Sequence, residues 1–191
     1  MRSALAVALA ALLLAGCTGT SPSPSTTTSE TPVAMTLSSP AFANGGTIPE
    51  KHTCDGAQVS PPITIDGVPR GAASLALTMK DPDVPTPQAP VRTLNHWVAW
   101  NLTPAAGAVV FPEGGVPVGG KQGANDFGNG YLGPCPPPAS PAHHYNLTAY
   151  ALDTWPSLPA NATAAQLDAA MAGHIVAKAT LIGLYARKTT A

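Results

Sequence analysis

Short apolar and β-branched runs, broken by clusters of Gly, Pro, Asn and Ser, set the rhythm of this chain from Met35 onward. The runs begin near Met35 and recur at residues 73–79, 94–102, 143–152 and 175–185, which predicts a β-rich domain. Leu75-Ala76-Leu77 and Trp97-Val98-Ala99-Trp100 are apolar at consecutive positions, as expected of central strands covered on both faces. One helix is predicted after Thr163. The Thr163 hydroxyl is placed to cap it, with Gln166 as capping-box partner; Leu167 and Met171 then share a face, and Gly173 ends the element. Residues 103–141, rich in Gly and Pro, are too many for a simple connection, so a site is expected there.

The start of the chain follows a different pattern. Arg2 supplies a positive charge, and residues 4–15 form an apolar run too short to span a bilayer as a stable helix. Residues 1–16 therefore read as an export signal. Leu14-Ala15-Gly16-Cys17 resembles the lipobox of bacterial lipoproteins, which implies that Cys17 is acylated and becomes the mature N-terminus. Each buried methylene of an acyl chain contributes roughly 0.8 kcal/mol, so two or more chains would hold the protein at the cell membrane on its extracytoplasmic face. Residues 17–33, mostly Ser, Thr and Pro, bury too little surface to offset their ordering entropy and are expected to form a tether. The domain itself is assigned to residues 34–191, long enough for one full core.

Composition narrows the function. Charged residues make up 10% of the 191, the formal charge is -1, and no Lys/Arg run occurs, so no electrostatic footprint for nucleic acid is present. The sequence contains no G-x-S-x-G elbow, no HExxH and no paired CxxC, which leaves the common serine-hydrolase and zinc signatures unfilled. The sequons at Asn101, Asn146 and Asn161 are read as chance occurrences.

Several segments, in order, resemble the phosphatidylethanolamine-binding protein family, especially its bacterial Raf-kinase-inhibitor-like branch. They are Thr53-Cys54-Asp55-Gly56 with Ser60-Pro61-Pro62, Asp81-Pro82-Asp83-Val84-Pro85, and Asn95-His96-Trp97-Val98 with Asn101-Leu102. Asn125-Asp126-Phe127-Gly128, Tyr131, Gly133-Pro134-Cys135-Pro136-Pro137 and His143-His144-Tyr145 follow, and Gly173-His174 to Tyr185 and Arg187 looks like the family's last strand. His144 stands where the family usually carries an arginine, and the C-terminal helix of animal members has no evident counterpart. The resemblance implies a mainly β sandwich with Greek-key strands and one or two short peripheral helices. It also implies a tight loop with a cis peptide at Val84-Pro85, and a small cavity for phosphate, acetate or a phosphoethanolamine-like group.

The residues support such a cavity. In an extended segment Asp81 and Asp83 would share a side, as would His143 and Tyr145. The expected ligand-binding set is Asp81, Asp83, His96, Gly133, Pro134, His143 and Tyr145, with no metal, no cofactor and no catalytic residue. Imidazole, phenol and backbone N–H groups donate to an anion, while the carboxylates are expected to orient the histidines and raise their protonated fraction. The resemblance also places the loops of Cys54 and Cys135 near each other, and in an oxidising compartment these two cysteines are expected to form a disulfide. The leading reading is a membrane-anchored binding protein for a small anionic or phosphorylated ligand, with a protease as a further partner and a homodimer left open. The alternatives are a hydrolase using a Cys-His dyad or a metal at the Asp/His pocket, and a structural envelope lipoprotein.

Overall fold

Successive residues of a strand point to opposite faces, and in the central strands of this protein each face meets its own core. The computed structural model describes residues 34–188; the segments expected to be an export signal (1–16) and a tether (17–33, with Cys17) lie outside them. Among the described residues the elements run β1 (Thr36–Ser38), β2 (Gly46–Thr47), a 3₁₀ turn (Glu50–His52), β3 (Ile63–Asp66), β4 (Ser74–Val84) and β5 (Arg92–Leu102). They continue with β6 (Val109–Phe111), β7 (Lys121–Gln122), β8 (His143–Leu152), α1 (Ala164–Met171) and β9 (Ile175–Tyr185). A six-stranded sheet has the order β2-β9-β8-β4-β5-β7, and a three-stranded sheet has the order β1-β3-β6. The mainly β, two-sheet architecture expected from the sequence is present, with one short α-helix among the described residues.

On one face of the large sheet, Leu75, Leu77, Met79, Trp97, Ala99, Leu147 and Ala149 pack against Leu37, Ile63, Ile65, Val109 and Phe111 of the small sheet. The alternate positions Ala76, Val98, Trp100 and Leu152 meet Ala162, Leu167 and Met171 on the other face, under α1. Burying a large apolar side chain contributes about 1.5–3 kcal/mol, so both faces favour the sheet. This double burial is why the strand sequences are apolar at consecutive positions.

The helix has the ends its sequence predicts. Gln166 N donates to the Thr163 hydroxyl at 3.3 Å and Thr163 N donates to Gln166 Oε1 at 2.9 Å, completing the capping box. Beyond the last turn Gly173 takes φ +81°, a conformation open to glycine, and His174 N donates back to Met171 O at 2.9 Å.

Two irregularities in the β4–β5 pairing decide what faces inward. Met79 pairs with Trp97 but Lys80 with Asn95, so His96 is an extra residue on β5, a β-bulge. Asp81 then pairs with Leu94, and Val84 with Arg92, which puts an extra residue on β4. The segment 81–84 therefore continues β4 as an irregular strand, and the Val84–Pro85 peptide that follows is cis.

Candidate functional site

The bulge at His96 exchanges the inward and outward sets of β5, bringing His96, Leu94 and Arg92 to the side already occupied by Asp81 of β4 and by His143 and Tyr145 of β8. These six residues line one cavity of about 440 Å³. The Leu132–Gly133 loop and the Cys54–Cys135 disulfide close it on one side, and Val84, Pro85, Phe127, Pro136 and Pro137 complete its wall. The disulfide joins residues 81 apart with Cα atoms 5.4 Å apart, which is the pairing expected from the sequence.

Asp81, His96, His143 and Tyr145 are all buried. His143 Nδ1 donates to Asp81 Oδ2 at 2.9 Å, and Asp81 Oδ1 accepts from Asp83 N at 2.8 Å. His143 Nε2 lies 3.2 Å from the Ser140 hydroxyl. His96 Nδ1 donates to the Leu132 carbonyl at 2.9 Å; because a carbonyl only accepts, Nδ1 carries the proton and Nε2 of the neutral ring offers a lone pair. Burial pushes the His96 imidazole below the ordinary histidine range, against the opposing pull of the Leu132 carbonyl and the Asp81 charge. The expectation that the carboxylates raise the protonated fraction of both histidines is thus corrected for His96, where desolvation outweighs them.

Tyr145 meets His96 edge-on, with ring centroids 5.1 Å apart. Burial, followed by the Asp81 charge, pushes its phenol far up, so the hydroxyl keeps its proton. His96 Nε2 is buried without a hydrogen-bond partner, and Tyr145 Oη is buried beside the Asp81 carboxylate and the Cys135 backbone without a well-formed hydrogen bond to either. The floor of the cavity therefore carries one free acceptor, His96 Nε2, and one buried hydroxyl donor, Tyr145 Oη, flanked by Asp81 and Cys135.

The structure brings Asp81, His96, Gly133, His143 and Tyr145 together around the cavity, but not Asp83 or Pro134. Asp83 does not stand beside Asp81, because the extra residue of β4 turns it toward the neighbouring strand. There its Oδ2 accepts from both the backbone N and Nδ1 of His144 at 2.7 Å. This also gives His144, the residue in the arginine position, its role: it holds the irregular end of β4 against β8. The Pro134 carbonyl accepts from Cys54 N at 3.0 Å, so Pro134 seats the disulfide. Gly133 N donates to Gln58 Oε1 at 3.3 Å and is thereby engaged with the protein itself. A Cβ on Gly133 would lie 3.0 Å from His52 O and from the Gln58 side chain, which shows how closely the two loops approach.

Arg92 was not among the expected residues. Its signal was present, because Arg92, Leu94 and His96 follow the period-two rule on one strand, but the turn residues at 85–90 hid where β5 begins. The loop bearing Phe127 is fixed by Asn95, whose backbone N and Nδ2 each donate to the Asp126 carboxylate at 3.0 Å. On the other side, Asp55 accepts from the Tyr185 hydroxyl at 2.6 Å and from Arg187 Nε at 3.0 Å, tying the end of β9 to the Cys54 loop. These two bonds hold the Asp55 carboxyl below its ordinary value, Tyr185 having the larger effect.

The whole defines a two-sheet β-sandwich with a polar-floored cavity beside an irregular strand end. Residues 38–186 match the family described as phosphatidylethanolamine-binding protein, and the chain belongs to that family. It is 43% identical over 163 residues to the UPF0098 protein of Pyrococcus abyssi, covering 81% of this chain and 86% of that relative. Among solved structures it resembles a phosphatidylethanolamine-binding protein homologue from Chlamydia trachomatis at 41% identity, with a TM-score of 0.72 and coverage of 81% of this chain and 98% of the other. It also resembles YbcL of E. coli at 29% identity, with a TM-score of 0.71 and coverage of 82% and 100%. These likenesses place it with the bacterial and archaeal branch of the family.

Proposed function

We propose that this protein is a membrane-tethered, extracytoplasmic binding protein whose cavity takes a small phosphorylated or otherwise anionic group, and that it binds without turning its ligand over. The observation that carries this reading is the pair of buried polar atoms without partners, His96 Nε2 and Tyr145 Oη, on the floor of one cavity. An unpaired buried polar group costs about 1–3 kcal/mol, and a ligand oxygen that pairs with it recovers that cost. A purely structural lipoprotein gains nothing from such an arrangement. Arg92 on the cavity wall supplies the positive charge an anion needs. The Cys-His dyad finds no support, because Cys54 and Cys135 are joined to each other and neither offers a thiolate. For the metal alternative, the described residues contain no cluster of three His, Cys, Asp or Glu side chains able to hold an ion.

The carboxylate of Asp81 suits a ligand with an amine beside its phosphate, since each charge then meets its complement. Phosphoethanolamine is therefore expected to bind more tightly than inorganic phosphate. His143→Ala, which releases Asp81 from its partner, is expected to lose most of that binding while keeping the fold. Calorimetric titration with circular dichroism checks this; unchanged affinity in a folded His143→Ala protein sets the site elsewhere.

Membrane attachment rests on the Leu14-Ala15-Gly16-Cys17 pattern. A Cys17→Ser chain is expected to stay unacylated and to leave the detergent phase. Partitioning with an unchanged acyl mass overturns the tether.

A further inference from the structure

The two atoms on the cavity floor differ in what they ask of a ligand. Leu132 grips His96 twice: the His96 Nδ1–H donates to its carbonyl at 2.9 Å, and its own N–H donates to the His96 carbonyl at 2.8 Å. The ring is thus held in one tautomer, with Nε2 buried, unpartnered and able only to accept. Tyr145 Oη, on the neighbouring strand, is the floor's donor.

We infer that the cavity selects oxyanions that retain a proton, taking the monoanion of a phosphate monoester over an equally charged anion that has none, because His96 Nε2 accepts a hydrogen bond from the ligand's own P–OH. This rests on the reading of the cavity as an anion site and specifies its ligand class. The groups facing His96 fit it. From β4, Asp81 accepts one bond on each oxygen, from His143 Nδ1 and Asp83 N, keeps lone pairs for a ligand cation, and by its charge disfavours a fully ionised ligand nearby. From β8, Tyr145 donates to a second ligand oxygen, and His143 faces the same space. From β5 itself, Arg92 meets the ligand's remaining charge, while Asp126 acts on the ring from the following loop. For Nε2 to act as a donor instead, the ring would have to become an imidazolium while only 3% exposed, which its burial opposes. The discrimination is the one that buried acceptors impose generally: an analogue lacking the proton leaves the acceptor unpaired and facing another lone pair.

Methyl phosphate and methyl sulfate test this, because at one negative charge they are close in size and shape and only the phosphate carries an acidic hydroxyl proton. At pH 6 about half of a phosphate monoester carries that proton. In titrations of the full-length, disulfide-bonded protein, the methyl phosphate monoanion is expected to bind at least about tenfold more tightly than methyl sulfate. Nitrogen NMR of the His96 ring is expected to show the neutral Nδ1–H tautomer in both the free protein and the methyl phosphate complex. Equal affinity for the two ligands, or a doubly protonated His96 in the complex, overturns the proton selectivity and leaves the anion site standing. No binding of either ligand at millimolar concentration overturns the anion site itself, and the selectivity with it.

Discussion

At the scale of single residues, His96 carries the most consequence for behaviour in solution. Its native proton affinity is depressed by burial, whereas in the unfolded chain it titrates near the ordinary value of about 6.5. Below that pH the unfolded state binds the extra proton and the native state resists it, so acidification favours unfolding. The stability contribution of His96 is therefore fully present above about pH 6.5 and is lost as pH falls toward its lowered native value. Between those values the slope is at most about 1.4 kcal/mol per pH unit for this one group. Urea midpoints of the native protein are expected to fall over that window more steeply than those of His96→Gln; equal slopes in the two proteins refute the assignment. The motif implies a place for His96 beside the cavity, which it lines. The protonation of His96 is not readable there, because the sign of the shift depends on burial outweighing the Leu132 carbonyl and Asp81, and none of these is local in sequence.

At the scale of elements, strands and helix were readable because their patterns answer to two cores. The runs at 73–79 and 94–102 correctly implied buried strands, but β4 and β5 continue past them into the site as irregular pairs. Bulges have no simple sequence signature here: neither His96 nor the 82–83 segment contains the glycine that often marks one. That is why the sequence pattern puts Asp83 beside Asp81 and hides the start of β5 at Arg92. The helix was more transparent, since its capping box is a purely local device. α1 covers Trp100 and Val98 on the outer face of the large sheet, so weakening its start loosens that face. Thr163→Ala is expected to lower stability by about 1 kcal/mol, measurable by urea denaturation, and to leave ligand affinity unchanged because the cavity lies on the opposite face. A loss of affinity would contradict that separation of faces.

At the scale of the whole molecule, the Cys54–Cys135 bond joins the loop before β3 to the loop before β8 and forms part of the cavity wall. Closing a loop of 81 residues corresponds to about 4–5 kcal/mol in the chain-entropy model. The double variant Cys54→Ser/Cys135→Ser is expected to unfold at a temperature lower by roughly 10 °C, at about 2–4 °C per kcal/mol for a domain of this size. Its ligand affinity is expected to fall as well, because the wall beside Gly133 loses its fixed position. A melting temperature within a degree of the native protein, read by scanning calorimetry, counts against a structural role for the bond.

The sequence by itself determined the β-rich class, the burial of both strand faces, the ends of α1 and the residue types of the site, because each depends on local periodicity or on side chains within a few positions. The order of the family motifs carried the cysteine pairing too. Tertiary structure alone decided which side chains meet. Only pairing across β4, β5 and β8 turns Asp83 away to His144, swings His96 inward and adds Arg92 to the wall. Only the loop arriving from residue 132 fixes the His96 tautomer, and with it whether the cavity offers an anion a proton or asks one of it. These outcomes depend on register, burial and contacts between residues tens of positions apart; only the alternation of Arg92 with Leu94 and His96 is written locally, and where β5 begins is not.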